Sequence, residues 1–595
     1  MKRNMQQETR TCQNCKQNFT IEVEDFDFYK KIDVPPPTFC WECRMQRRFA
    51  WRNERTFHKN ICAATGKSII TGFAPDSGIT VYDRDVWWSD NWDPLSYGKE
   101  YDFNKQFFIQ FRELLGKVPL PSIFNARTVD CFYTQHTGNF KNGYLVAASW
   151  GGENISYAAR VHESKDSMDV YMIANSELCY ECIGASKSYR TLFSQNIDGC
   201  SDSYFLFECK GCSNCFGCTN LRNKSYHIWN EPYSKEQYSD KLKEMKIDTS
   251  AGIAEASKKF ESLKLKALRK YGNINNSQQV TGDNITNSYN TRVSFDVSND
   301  VRDCKFIQNG LQMKDSYDGY GVGGHADLLY EVFDTGVQGS RLCFGAIVYG
   351  GMNVFYSYNC HESSNLFGCV GLRRKEYCIF NKQYAKKEYE ELIPKIIEHM
   401  NSTPYVDKKE RIYRYGEFFP IELSPFAYNE TVAQEYCTLT KDKAHELGYV
   451  WRDPELKEYK VTKKLDELPG DIKAVGDDIL DQIIECAHNG DCNDQCTKAF
   501  KIIPQELQFY RKMNLPIPRL CSNCRHYARL KRRNPMELWH RKCQCAGAVS
   551  ENGAYKNIVL HQHGKGRCQN EFETSYTPER RETVYCEQCY QTEVV

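Results

Sequence analysis

The chain has 595 residues, of which 26% are charged, with a formal net charge of +1. That length is too great for one hydrophobic core and predicts about four domains, while the near-neutral balance excludes a global field that would draw the protein to nucleic acid or anionic lipid. No stretch of 18 or more apolar residues occurs, so no membrane-spanning helix is expected. The opening Met1-Lys2-Arg3-Asn4-Met5 lacks the apolar centre of a signal peptide, which predicts a cytoplasmic protein.

In a reducing compartment, closely spaced cysteines read as metal ligands rather than disulfides. Of the 29 cysteines, tight pairs stand at the two ends, and singlets and runs fill the middle. Residues 1–60 carry Cys12-x-x-Cys15 and Cys40-x-x-Cys43, two dithiolate clips about 25 residues apart that a hairpin can bring onto one tetrahedral Zn²⁺. After the second clip comes a basic run, Arg44, Arg47, Arg48, Arg52 and Arg55, interleaved with Trp41, Phe49, Trp51 and Phe57. If Cys40 and Cys43 open a helix, Arg44, Arg48 and Arg52 share one face. Such a face can contact phosphates, and exposed rings can stack on bases. The competing reading is a solvated helix whose arginines, here and in the C-terminal copy, pair with Glu42, Glu54 and Glu537 while the aromatics are core.

Residues 61–120 read as a degenerate zinc-ribbon module. Aligning Ala74-Pro75-Asp76 and Val81-Tyr82 with Thr577-Pro578-Glu579 and Val584-Tyr585 puts Asp83 and Val86 where Cys586 and Cys589 stand. Cys62 is then alone, and packing of Phe73, Tyr82, Trp87 and Trp88 is expected to hold the module in place of zinc.

The centre is an internal duplication. The segment from Asn214 to Asn230 matches that from Asn365 to Asn381, and Glu177-Leu178-Cys179-Tyr180-Glu181 matches Asp327-Leu328-Leu329-Tyr330-Glu331. Within each copy, Asn or Asp followed by a small residue and then Tyr or Phe recurs about every 12 residues, as at Asn142, Asn154, Asp166, Leu178, Asp202 and Asn214. Short strands at a fixed period suggest a parallel β-solenoid over 121–230 and another over 276–382. Cys200, Cys209, Cys212, Cys215 and Cys218 are read as interior ladder positions in preference to a metal site. Because rings are too bulky for a narrow lumen, a turn of about 24 residues is expected. Residues 231–275 read as helical, with an amphipathic stretch from Glu255 to Tyr271. Residues 383–485 read as a helix followed by a connector containing Pro404, Pro420, Pro425, Pro454 and Pro469.

The C-terminal modules, 486–542 and 543–595, repeat the N-terminal ones. Cys40, Cys43, Arg44, Arg48, Arg52, Asn53 and Cys62 fall on Cys521, Cys524, Arg525, Arg529, Arg533, Asn534 and Cys543 at one offset of 481 (521 minus 40). A second zinc site is expected at Cys496, Cys521 and Cys524, with a fourth ligand from Cys492 or Cys486, between which the sequence does not choose. A third uses Cys543 or Cys545 with Cys568, Cys586 and Cys589. His561 and His563 could replace ligands there, although a surface loop is the favoured reading. Arg525, Arg529, Arg532 and Arg533 repeat the basic face.

Several phrases, Phe39-Cys40-Trp41-Glu42-Cys43-Arg44, Trp87-Trp88-Ser89-Asp90-Asn91-Trp92, Leu366-Phe367-Gly368-Cys369 and Ile503-Pro504-Gln505-Glu506-Leu507, resemble a family of large zinc-ribbon proteins of candidate-phyla bacterial genomes. The likeness covers nearly the whole chain and implies zinc clips around a cysteine-rich repeat region. It implies little about activity, because that family is uncharacterised. The sequence departs from the family pattern at Thr65, Asp83 and Val86, where the family has Cys, and in insertions around 486–495 and 546–567.

The expected fold class is therefore mainly β with α, two parallel β-solenoid-like halves flanked by zinc-ribbon or treble-clef tandem modules. No dinucleotide fingerprint, phosphate loop, nucleophile elbow or His-Glu-x-x-His stands in the chain. The leading functional expectation is a non-enzymatic protein with three Zn²⁺ sites that docks RNA, DNA or a ribonucleoprotein through its basic modules. The alternative is a structural or protein-interaction scaffold capable of self-association, with a polymer-acting enzyme a distant third.

Overall fold

The computed structural model describes residues 6–453 and 460–594; Pro454 of the expected connector lies outside them. The fold is strand-rich with interspersed helices, and most of its pairings are parallel. No helix among the described residues is long and apolar enough to cross a membrane.

The repeat is built from three-residue steps. Every third residue from Arg127 to Trp229, glycine or not, has φ between 43° and 70°. A left-handed residue turns the chain sharply, and Asn and Asp tolerate it best among non-glycines. The residue after each corner points inward and the next points outward. Thus Leu178 is a corner, Cys179 is inside, and Tyr180 packs outward on Tyr510 and Phe509. Asn214, Cys215 and Phe216 repeat this order. The Asn–small–aromatic beat in the sequence is one such step.

Four steps make one rung of 12 residues. Ala159 pairs in parallel with Tyr171, Ile183 with Gln195 and Ser213 with Ser225. The expected 24-residue turn is thereby corrected to 12. Most of the rings that appeared to forbid so small a turn point outward, and the inside takes chiefly small and aliphatic side chains, Ala158, Val161, Ile173, Cys182, Ala185, Ile197 and the cysteines, with the ring of Phe140 lying among them against Gly143 and Gly152. In the second copy some rungs are longer, Ser288 pairing with Val301 and Tyr317 with Tyr330, before the 12-residue step resumes at Ser340 and Met352.

Interior Ser and Cys satisfy backbone groups that the corners leave unpaired. The hydroxyl of Ser176 donates to the carbonyl of Ala174 (2.8 Å) and accepts the N–H of Ser188 (3.1 Å), one rung on. Cys200, Cys209, Cys212, Cys215 and Cys218 are buried there, and their thiols lie 3.3–3.6 Å from backbone carbonyls. Outside, Asn142 donates to Asn154 and Asn154 to Asp166, both at 2.8 Å.

Each copy ends alike, in an antiparallel hairpin (Ser225–Ile228 with Glu231–Pro232; Glu376–Ile379 with Lys382–Gln383) and a helix, Lys235–Glu244 or Lys386–Ser402. A second helix, Ser250–Lys266, covers most of the stretch expected to be amphipathic, whose end is instead a strand, Leu268–Lys270.

The segments group crosswise into two compact units. One holds Met1–Phe124, Gly272–Asp453 and Met536–Leu538; the other holds Asn125–Tyr271, Pro454–Pro535 and Trp539–Val595. The N-terminal modules thus pack with the second repeat, and the C-terminal modules with the first. In the degenerate module Phe73 and Trp87 are buried, whereas Tyr82 is only partly buried and Trp88 is 45% exposed. The Cys62 sulfur there accepts the backbone N–H of Asp83 (3.2 Å), just as Cys543 accepts that of Cys586 (3.2 Å).

The narrow interior sets an expectation for mutants. Cys209→Phe should destabilise by about 1–3 kcal/mol or more through overpacking, while Cys209→Ser, which keeps size and a donor, should change the urea midpoint far less.

Candidate metal centres and the arginine clamp

The two expected clip modules are built alike. In the first, a hairpin (Glu8–Thr11 with Asn18–Ile21) carries Cys12 and Cys15, and Cys40 caps the helix Trp41–Phe49, which places Cys43 in its first turn. In the other, the hairpin is Ile484–Glu485 with Ala499–Phe500, and Cys521 caps Ser522–Leu530. The helices between hairpin and clip also match, Val23–Ile32 and Pro504–Met513, and end on left-handed Asp33 and Asn514. The inference that the second clip opens a helix is correct in both copies.

Three four-thiol sets result: Cys12, Cys15, Cys40 and Cys43; Cys486, Cys496, Cys521 and Cys524; and Cys543, Cys568, Cys586 and Cys589. Within each set all four sulfurs lie within 4.8 Å of one another. A tetrahedron with a metal–sulfur length of ~2.3 Å has edges of about 3.8 Å. The observed contacts approach that edge: Cys15 to Cys40 at 3.7 Å, Cys486 to Cys524 at 3.9 Å and Cys568 to Cys586 at 3.9 Å. Hydrogen bonds among the thiols favour one thiolate in each set at the expense of its neighbours, so that Cys40, Cys486 and Cys589 are pushed up, as is Cys524, there first by burial. Hydrogen bonds from Cys40 and Cys43 hold Cys12 well below the ordinary thiol range, one from Cys486 brings Cys521 down to about 4, and those from Cys543 and Cys589 hold Cys586 low. These sets can hold metal ions, and tetrahedral all-thiolate donors suit Zn²⁺ best.

Of Cys492 and Cys486, between which the sequence does not choose, the four-thiol set takes Cys486 and not Cys492. The N–H of Cys12 donates to the carbonyl of Gln17, and that of Cys486 donates to the carbonyl of Lys498, both at 2.8 Å; Lys498 occupies the position of Gln17 in the duplicated module. Cys486 thus takes the place of Cys12, and the insertion lies between it and Cys496. Cys492 instead joins His488 at the side of Cys524, 3.8 Å from its sulfur. Of the pair Cys543 and Cys545, the four-thiol set takes Cys543. The surface-loop reading of His561 is also corrected, since that ring is buried and its Nε2 lies 2.8 Å from Glu593.

The basic faces are not surfaces. Arg44, Arg47, Arg48, Arg52, Arg525 and Arg529 are each no more than 5% exposed. Arg44 reaches Asp318 (2.8 Å), Arg48 reaches Asp318 (3.1 Å) and Glu331 (2.7 Å), and Arg47 bridges Glu331 (2.6 Å) and Glu417 (3.0 Å). In the other unit Arg525 reaches Asp169 (3.2 Å) and Glu506 (3.1 Å), Arg529 reaches Asp169 (2.9 Å) and Glu181 (2.7 Å), and Arg532 reaches Glu181 (2.9 Å). Arg52 lies over the ring of Tyr320 and Arg533 over that of Tyr171.

Geometry explains the match. Asp318 and Glu331, like Asp169 and Glu181, are left-handed corners one rung apart in one column. Rungs are ~4.8 Å apart and one helical step of four residues rises ~6 Å, so arginines at i and i+4 meet carboxylates on successive rungs. Burial opposes the charge on Arg44 and Arg525, but Asp318 with Tyr29 and Tyr330, and Asp169 with Tyr510 and Glu506, together outweigh it and hold both guanidinium groups above their ordinary range. The expectation of phosphate contact is corrected for the six buried arginines, because a phosphate would have to displace buried carboxylates, whereas Arg532 and Arg533 are only partly buried. The alternative pairing with Glu42 also fails, although Arg52 does bind Glu54 (2.7 Å).

No known protein family matches the chain, and no curated protein does. Among solved structures, a protein assigned as an acetyltransferase from Desulfovibrio desulfuricans G20 matches at 9% identity over 46% of this chain and 86% of its own, with a TM-score of 0.10. A likeness that weak carries no argument about fold or activity.

Two measurements test this subsection. Arg48→Ala and Arg529→Ala should each destabilise their unit by about 3–5 kcal/mol, since each strands buried carboxylates, and lysine should not restore the loss, read from urea denaturation. Elemental analysis should show that Cys486→Ser lowers the metal content by one ion per chain and that Cys492→Ser leaves it unchanged.

Proposed function

We propose that the chain is a non-enzymatic, zinc-braced scaffold: two parallel β-solenoids, each locked by treble-clef-like modules whose metal ions are structural. The observation that carries this reading is the arginine clamp. The residues of the modules best suited to bind phosphate are consumed in pairing with solenoid carboxylates, in both copies and at equivalent positions. Closed four-thiolate sets, with no open coordination position, belong to structural rather than catalytic zinc. What such a body offers a partner is its outer ladders of stacked side chains, a surface suited to binding proteins along its length. So many unpaired thiols suit a reducing compartment, consistent with a cytoplasmic protein.

The reading is tested on the purified full-length protein. The expected result is a 260/280 nm absorbance ratio typical of protein alone, no gel shift with RNA or DNA, and loss of the cooperative melt when a chelator strips the metal. Nucleic acid that co-purifies, with affinity falling steeply as salt rises, would revive the docking reading and sink this one.

A further inference from the structure

We infer that the C-terminal module holds two metal ions rather than one, with the thiolate of Cys589 bridging a four-sulfur site and a second site formed by Cys545, His561 and His563. The inference rests on the reading that the four-thiol sets hold metal and adds a centre that the clip spacing does not announce.

The second set is as well gathered as the first three. The sulfurs of Cys545 and Cys589 and one nitrogen of each histidine all lie within 4.8 Å of one another, and only His563 is not fully buried. With metal–sulfur and metal–nitrogen lengths of ~2.3 and ~2.05 Å, the sulfur–nitrogen edge of a tetrahedron is about 3.5 Å. Cys545 Sγ lies 3.5 Å from His561 Nδ1, and Cys589 Sγ lies 3.4 Å from His563 Nε2. A sulfur shared by two sites and two mixed edges of ligand length do not arise from hydrophobic packing.

The surrounding groups fix which nitrogens face the ion. His561 turns Nε2 to Glu593 (2.8 Å), leaving Nδ1 for the metal. His563 turns Nδ1 to the carbonyl of Gly566 (2.9 Å), leaving Nε2. Metal-bound histidines commonly donate their other N–H to a carboxylate or a carbonyl in this way, and the bond fixes the tautomer. The Glu593 carboxylate is fully buried and also accepts the N–H groups of Ile558 and Val559 and the hydroxyl of Tyr555, so it anchors the whole inserted loop. Asn557 donates to the Cys545 sulfur (3.2 Å) and Asn570 to the Cys586 sulfur (3.3 Å), bonds that neutralise part of the thiolate charge. Two sulfur and two nitrogen donors in a tetrahedral arrangement select a thiophilic divalent ion, Zn²⁺ foremost. The insertion around 546–567, which separates this module from its N-terminal counterpart, supplies both histidines.

The test uses the full-length protein loaded with Zn²⁺, or with ¹¹³Cd²⁺ as a spectroscopic substitute. Four metal ions per chain are expected by native mass spectrometry, falling to three in His563→Gln and in Cys545→Ala. Two ¹¹³Cd resonances should split each other through the shared Cys589 sulfur, and His563→Gln should remove one and collapse the splitting of the other. The splitting is measured on the unaltered chain, so it decides the matter even if a variant misfolds. Three ions per chain, unaffected by His563→Gln and with no mutual splitting, overturns this inference while leaving the four-thiol sites intact. A chain that takes up no metal at any set overturns both.

Discussion

Everything in the two units is organised around guanidinium groups buried against carboxylates. Removing an arginine and an acid from water costs several kcal/mol per ion, and their attraction repays this only when the geometry is good and the remaining donors are satisfied. Asp318 and Glu331 on successive rungs, read by Arg44 and Arg48, supply the short ion pairs, and Asp169 and Glu181, read by Arg525 and Arg529, supply them again, while the Nε of each of these four arginines is buried without a hydrogen bond. Such a contact adds little net stability compared with an apolar seam. Its value lies in register: a module displaced by one rung would leave two charges unpaired inside.

The metal sets serve the same end from the other side. Each clip lies at the start of the helix that bears the arginines, with Cys40 and Cys521 as the capping residues. An ion held there would fix the helix relative to its hairpin, and hence the spacing at which the guanidinium groups reach the carboxylates of the parallel-strand repeat. The aromatic rings follow suit. Tyr320 and Tyr171 lie beneath Arg52 and Arg533, while Phe28 stacks on Tyr317 at 3.9 Å.

Much of this was legible in the chain. The clips, the 481-residue offset and the 12-residue beat are local patterns, and local patterns survive in sequence. The match of Tyr180-Glu181 with Tyr330-Glu331 even exposed one acid of each clamp, but not its purpose, because the arginines it meets lie far away in sequence. The basic run misled for the same reason: a row of arginines looks identical whether water or a carboxylate column faces it. The rung length was misjudged because outward and inward positions alternate with a period of three, so aromatic content alone did not reveal which side the rings take. Cys486 was left undecided because an insertion broke the short spacing that identifies Cys12, and only the hairpin hydrogen bond restored the equivalence.

The crosswise assembly has a consequence for synthesis on the ribosome. Arg44 is separated from Asp318 by 274 residues, an interval of some tens of seconds at ordinary elongation rates of ~5–20 residues per second. During that wait the first module is a nascent domain whose cations face water. The later module meets the opposite situation, since Asp169 and Glu181 have long been translated when Arg529 emerges. Each unit thus carries one half of its clamp unpaired during synthesis, the cations first in one and the carboxylates first in the other, where Glu181 precedes Arg529 by 348 residues.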